Sequence, residues 1–301
     1  MQDSHHTGSA TPSLFSPCRI GAAESRNRIA LAAMTNKQSH DDGSLSDEER
    51  EWLFRRAQGG FGLIATCAAN VVAEAKTWDG ELGIFDDRLV PGLRTLSEGI
   101  RRKGALSVVQ IFHGGYRTPS SVSGVQPASA TSFVIDSEGF EPPRELSTAE
   151  VEHLVQAFVD AAVRSRAAGF DGVEVHGAHT YLIAQFLSRE INTRTDGWGS
   201  TLKGRYRFLS EILRGARQAC GPEFIVGVRL SPGVPLPHAG MSLEETLQIL
   251  PWIEADGADF VHMSLKEAGN IPEHAEGGHR DGAPGKPAAD ERVGSVVLPA
   301  A

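Results

Sequence analysis

The chain is short of the features that announce several protein classes. Its 301 residues hold three cysteines. Cys18, Cys67 and Cys220 lie far apart, with no C-x-x-C pair and no Cys/His cluster. That spacing excludes a disulfide framework and a cysteine-based structural zinc site, and it fits a reducing compartment. Basic charge is scarce as well: 29 Lys and Arg stand against 38 Asp and Glu, for a net charge of −9. A phosphate-backbone binder needs a basic surplus or a basic patch, so nucleic acid is not an expected partner, and an anionic membrane surface is not one either. No apolar stretch approaches the roughly 18–20 residues of a membrane span. Residues 1–14 have no basic start and no apolar core. They read as a flexible lead rather than a signal peptide, and the expected location is cytoplasmic. No G-x-G-x-x-G follows any apolar run, so a dinucleotide-binding fold lacks its best signal.

What is present is a repeated alternation. Six short, near-continuously apolar runs read as buried parallel strands: 28–34, 62–71, 105–113, 172–178, 224–231 and 259–265. Between them lie helical patterns at 46–60, 87–104, 147–172, 201–221 and 241–259. Several open on a Ser cap with acids in the first turn, as Ser147, Thr148 and Glu150 do, and several end in Arg then Gly. Segments 114–146 and 266–292 are rich in Ser, Pro, Gly and charge, and read as irregular. Strand–helix alternation gives a parallel sheet with right-handed crossovers. The polar residues cluster at strand ends: Thr35, Gln110, His113, His176, His179 and Arg229. In a closed barrel all those ends converge on one face, so the α/β class is read as a (β/α)8 TIM barrel.

The stretch "GVEVHGAHTYLIAQFLS" (172–188) carries the densest chemistry. His176 and His179 flank a strand end, and Tyr181 follows before an apolar helical pattern. Two neutral imidazoles there can donate to one carbonyl oxygen, and a phenol is an uncharged proton donor. Each His could equally satisfy backbone groups. H-x-x-H, with His113 and Glu174, could also hold a metal. Arg229 closes an apolar strand and needs an anionic or electron-rich partner, either a bound anionic cofactor or Glu174 across the barrel. Gln110, an amide in an apolar strand, needs both donor and acceptor partners.

The run "GFDGVEVHGAHTYLIAQFLSREINTRTDGWGSTLKGRYRF" strongly resembles the Old Yellow Enzyme family of FMN-dependent NAD(P)H:flavin oxidoreductases. The likeness extends through "NRIALAAMTN", "RRAQGGFGLIAT", "VVQIFHGG" and "VGVRLSP", about residues 15–265. It implies the (β/α)8 fold, FMN as cofactor, NAD(P)H as reductant and an activated alkene of the enone type as substrate. By position, His176 and His179 match the pair that holds the substrate carbonyl, and Tyr181 the proton donor. Gln110 and Arg229 match residues that hydrogen-bond the flavin ring. Ala33, Met34, Thr35 and Ala68 match strand ends that line it. The chain departs from the pattern after His113, where "GGYR" replaces A-G-R and displaces Arg117 by one.

Six strands are counted where the barrel wants eight, with one more strand-like run at 292–301. The tail, 266–301, diverges from the family and holds no match to the Gly-Arg segment that binds the FMN phosphate. The expectation is a barrel incomplete at its C-terminal end, with open strand edges and a possible homo-oligomer. Two alternative functions stay open: an FMN-deficient inactive relative, and a metal-dependent TIM-barrel hydrolase or lyase.

Overall fold

The computed structural model describes residues 13–135, 139–232 and 241–264, together with the backbone of one further strand, Ser295–Pro299. Six successive strands form the body of the central sheet: β1 (Ala30–Leu31), β2 (Leu63–Asn70), β3 (Leu106–Phe112), β4 (Gly172–Gly177), β5 (Ile225–Leu230) and β6 (Phe260–Ser264), and a two-residue strand, Leu82–Gly83, adds in parallel to the end of β2. Each of the six pairs in parallel with the next in chain order. All six fall on the runs read as strands. The succession is that of a (β/α)8 TIM barrel, of which the described residues supply these six units. The run at 292–301 does hold a strand, β7 (Ser295–Pro299), but it lies antiparallel on β6. Residues 1–12 of the expected lead, and 266–294 of the expected tail, lie outside the described residues.

The crossovers are α1 (Asp47–Gln58), α2 (Val90–Arg102), α3 (Thr148–Ala167), then the short α4 (Leu182–Leu187), α5 (Leu202–Cys220) and α6 (Leu243–Ala255). Their starts obey the capping chemistry. Ser46, Ser147, Thr201 and Ser242 each accept an amide of the first turn, and Ser147 with Glu150 closes a full capping box. Among the described residues no helix is long and apolar enough to cross a membrane.

Strand parity decides what faces the barrel interior. On β4, Val173 and Val175 pack outward under the helices, which turns Glu174 and His176 inward. On β5 the outward set is Val226, Val228 and Leu230, leaving Ile225, Gly227 and Arg229 inside. On β3, Val109 and Ile111 face out, and Val108 and Gln110 face in. The lower interior is an apolar plug of Leu63, Ala65, Val108, Ile225 and Phe260. Ile20 joins it from a two-stranded hairpin (Cys18–Ile20, Ala23–Ser25) absent from the sequence reading.

Segment 114–146 is less irregular than expected. It contains a 3-10 turn, Gly115–Arg117, a short helix, Ser120–Ser123, and a parallel strand pair, Ala128–Ser129 with Arg144–Glu145. Its aromatic residues explain the order: Tyr116 packs edge-on to Phe133 and against Phe140, with Ile191 completing a satellite core.

Candidate active site

The site grows from the end of β4. His176 is the last inward residue of the strand and is buried. Beyond Ala178 the chain turns left-handed for two residues, His179 (φ 56°) and Thr180 (φ 64°). A β-branched threonine in that region is a backbone outlier costing on the order of 1–3 kcal/mol. The turn folds His179 back over the strand end, so its ring meets His176 edge-on at 5.1 Å. Tyr181 then caps α4, with its ring 5.0 Å from His176 and 5.1 Å from Phe112. Trp78 stacks on Phe112 at 5.6 Å. The three residues that the sequence put together are thus one cluster.

Next to it lies a polar layer. Register places Arg229 between His176 and His262 on the neighbouring strands. Arg229 donates from Nη1 to the Ala33 carbonyl (3.0 Å) and from Nη2 to Ser264 Oγ (3.0 Å), while its Nε is buried with no hydrogen-bond partner among the described residues. Ser264 Oγ also lies 2.7 Å from His179 Nε2. The salt bridge from Arg229 to Glu174 does not form. Glu174 pairs in register with Gly227, and across that glycine its Oε2 meets His262 Nδ1 at 2.8 Å. Its Oε1 accepts Gln110 Nε2 at 2.6 Å. A carboxylate only accepts, so the Gln110 amide nitrogen must face it and the carbonyl must turn away. Ala68 sits beside Gln110 in register and is buried, whereas Met34 and Thr35 are exposed at the mouth.

Burial sets the protonation states. It holds the His176 imidazole well below its ordinary value, and the charges of His179 and Arg229 push the same way. Burial raises the Tyr181 phenol; Arg117 pulls it down and Glu81 pushes it up. At neutral pH the site therefore offers a neutral His176 and a protonated phenol. For Glu174, burial pushes upward, but the His262 hydrogen bond and charge, with Arg229 and Gln110, outweigh it and keep the carboxyl below the usual range. Burial lowers Arg229, against the pull of Glu174 and Tyr181.

His113 does not join the cluster as a ligand. Its Nδ1 accepts the Gly115 amide at 2.9 Å. With both Glu174 oxygens engaged, the metal reading loses its geometry, and among the described residues no three His, Cys, Asp or Glu side chains gather to hold a metal ion. His113 instead sets a pH dependence. Burial, then the Arg144 charge, lowers it from 6.5 to about 4. As pH falls through that window, the unfolded chain takes up a proton that the native state refuses. Stability is complete above pH 6.5 and declines by roughly 3 kcal/mol towards pH 4. In chemical denaturation at pH 7 and pH 5, the wild-type chain should lose more stability than His113→Asn; equal losses would remove His113 from this account.

Sequence reasoning missed His262 and Ser264, and weighed Glu174 only as a metal ligand or partner of Arg229. The signal was there: in "DFVHMSL" the polar His262 interrupts an apolar strand run, much as Arg229 closes one.

A sequence profile of the NADH:flavin oxidoreductase / NADH oxidase family matches residues 13–280. A Bacillus subtilis protein named "probable NADH-dependent flavin oxidoreductase" is 39% identical over 245 residues, which is 80% of this chain and 65% of that protein. Among solved structures, a 2-naphthoyl-CoA reductase complex superposes with a TM-score of 0.80 at 32% identity, covering 84% of this chain and 40% of the other. An Old Yellow Enzyme homologue from Zymomonas mobilis gives 0.75 at 30% identity, covering 81% and 71%. The chain thus spans less than two thirds of the length of the first two.

Proposed function

The chain belongs to the NADH:flavin oxidoreductase / NADH oxidase family, the family of the Old Yellow Enzymes, and from that membership we propose that it is an FMN-dependent oxidoreductase. In this reading it draws electrons from NADH or NADPH and reduces the C=C bond of an α,β-unsaturated carbonyl compound.

The residues of the barrel mouth fit FMN. Three buried nitrogens on adjacent strands, His176 Nδ1, Arg229 Nε and His262 Nε2, have no hydrogen-bond partner among the described residues, which is costly unless a ligand or water meets them. Arg229 and Gln110 would hold the edge of the ring that carries its carbonyl and N–H groups. Ala33, Met34, Thr35 and Ala68 would flank it. When bound, FMN supplies the hydride relay from the reduced nicotinamide to the alkene β-carbon.

The protein's own part is polarisation and proton delivery. His176 and His179 are close enough to direct N–H donors at one carbonyl oxygen and to hold the charge that builds there. A neutral His176 donates that bond without giving up the proton. Tyr181 hands its phenolic proton to the α-carbon and is reprotonated from solvent. Hydride and proton together add two hydrogens across the double bond.

The observation that carries this reading is the gathering of His179 and Tyr181 about the His176 ring, at 5.1 and 5.0 Å, with Tyr181 against the Phe112 wall. The test is anaerobic. Chain loaded with FMN and reduced by NADH or NADPH should be reoxidised by 2-cyclohexenone, yielding the saturated ketone. Reduction by nucleotide with no alkene-dependent reoxidation would overturn the enone reading and leave the flavin reading standing.

A further inference from the structure

Arg117 has no part in the mechanism above, yet the carbonyl-binding and proton-donating groups meet at its side chain. It leaves the 3-10 turn Gly115–Arg117, and its Nη1 donates to the His179 carbonyl at 2.9 Å and to Thr180 Oγ1 at 3.3 Å. The same guanidinium lies over the Tyr181 ring, 5.0 Å from its centroid. That is within range of a cation–π contact. One side chain therefore grips both residues of the left-handed turn and the phenol that follows it.

The direction of Arg117 is built in. Gly115 has φ 64°, and a Cβ there would overlap the Gln185 amide, so only glycine lets the chain pass. Gln185, fully buried, accepts the Tyr116 amide (3.2 Å) and the Ser129 hydroxyl (2.9 Å), and donates to the Thr180 carbonyl (2.6 Å). The strained turn is clamped from one side by Gln185 and from the other by Arg117. This arrangement uses the displaced arginine of "GGYR", a departure of this chain from the family pattern.

We propose that Arg117 is a positioning residue that locks the His179–Thr180 turn to the Tyr181 ring, so that both histidines and the phenol address one substrate. The inference rests on the enone-reductase reading for its purpose, but the lock itself is a property of the flavin-free chain. The other charged or titratable groups acting on Tyr181 are Glu81, Arg229 and Tyr116, with His176 in ring contact. Arg117 is the foremost of the charges acting on the phenol.

The test uses the whole flavin-free chain labelled with 3-fluorotyrosine, whose ring fluorine brings the phenol titration nearer neutrality. The chain has three tyrosines, so the fluorine signal of Tyr181 is assigned by its loss in Tyr181→Phe. Arg117→Met should raise the Tyr181 midpoint by about one pH unit, a tenfold drop in ionisation constant. Arg117→Lys should shift it by less than half as much, because charge survives without the planar fork. Should Arg117→Met fold poorly, Arg117→Gln serves, with the same rise expected. A midpoint equal to wild type in the uncharged variants overturns the proposal. A failure of the flavin reading shows up separately, as absence of FMN binding, and leaves this result unaffected.

Discussion

Replacing Tyr181 with phenylalanine is expected to slow the alkene half-reaction by about 10²–10⁴-fold while nucleotide still reduces the flavin near the wild-type rate. The split follows from position. Tyr181 packs on Phe112 and on His176, the residue proposed to hold the substrate carbonyl. Its phenol stays protonated at neutral pH because burial raises it, so it holds a proton to give. Phenylalanine keeps the ring contacts, including the one under Arg117, and removes only the proton. Stopped-flow absorbance of the flavin in each half-reaction reads the two rates apart. His176→Ala should likewise slow the alkene step, by about 10²–10³-fold, through loss of one donor to the developing oxyanion. Equal slowing of both half-reactions in Tyr181→Phe would mean that the phenol organises the cofactor rather than the proton. No slowing would mean that the proton comes from elsewhere.

Gly227→Val is expected to cost about 3 kcal/mol or more in stability and to lower Tm by roughly 6–12 °C. Gly227 faces the barrel interior on β5, and even a Cβ there would overlap the Phe260 ring on β6. The glycine also stands in register opposite Glu174, whose Oε2 lies 2.8 Å from His262 Nδ1. A larger side chain would press on the apolar plug and on the buried Glu174–His262 hydrogen bond together, and a buried carboxylate left without its partner is costly. Thermal unfolding followed by circular dichroism measures the loss. A variant as stable as wild type would show that the interior at this level is slack.

Much of this was legible from short-range pattern. The six strands were visible because each is a run apolar on both faces, and the helices between them carry their own caps, such as Ser147 with Glu150. His176, His179 and Tyr181 were legible because they stand three and two residues apart at a strand end. What escaped depends on which residues of distant segments meet. Glu174 was paired in expectation with Arg229 because both are charged, but register leaves Gly227 opposite Glu174 and sets Arg229 two residues further along, level with His176. The partner Glu174 does find is His262, one strand beyond, a pairing that no short-range pattern announces. The left-handed turn at His179 and Thr180 has no glycine to announce it; it is held by Gln185 from the helix that follows and by Arg117 from a distant segment. Arg117 looked misplaced by one residue in the sequence, and only the turn at Gly115 explains where it goes.

The most direct measurement of the central claim is equilibrium titration of the chain with FMN, followed by flavin fluorescence and absorbance. The account predicts saturable binding at one FMN per chain, with affinity weakened by roughly tenfold or more in Arg229→Met, because a buried charged hydrogen bond to the ring edge is lost. A folded chain that shows no saturable binding at excess FMN, or that binds it equally well without Arg229, would contradict the flavin site described here.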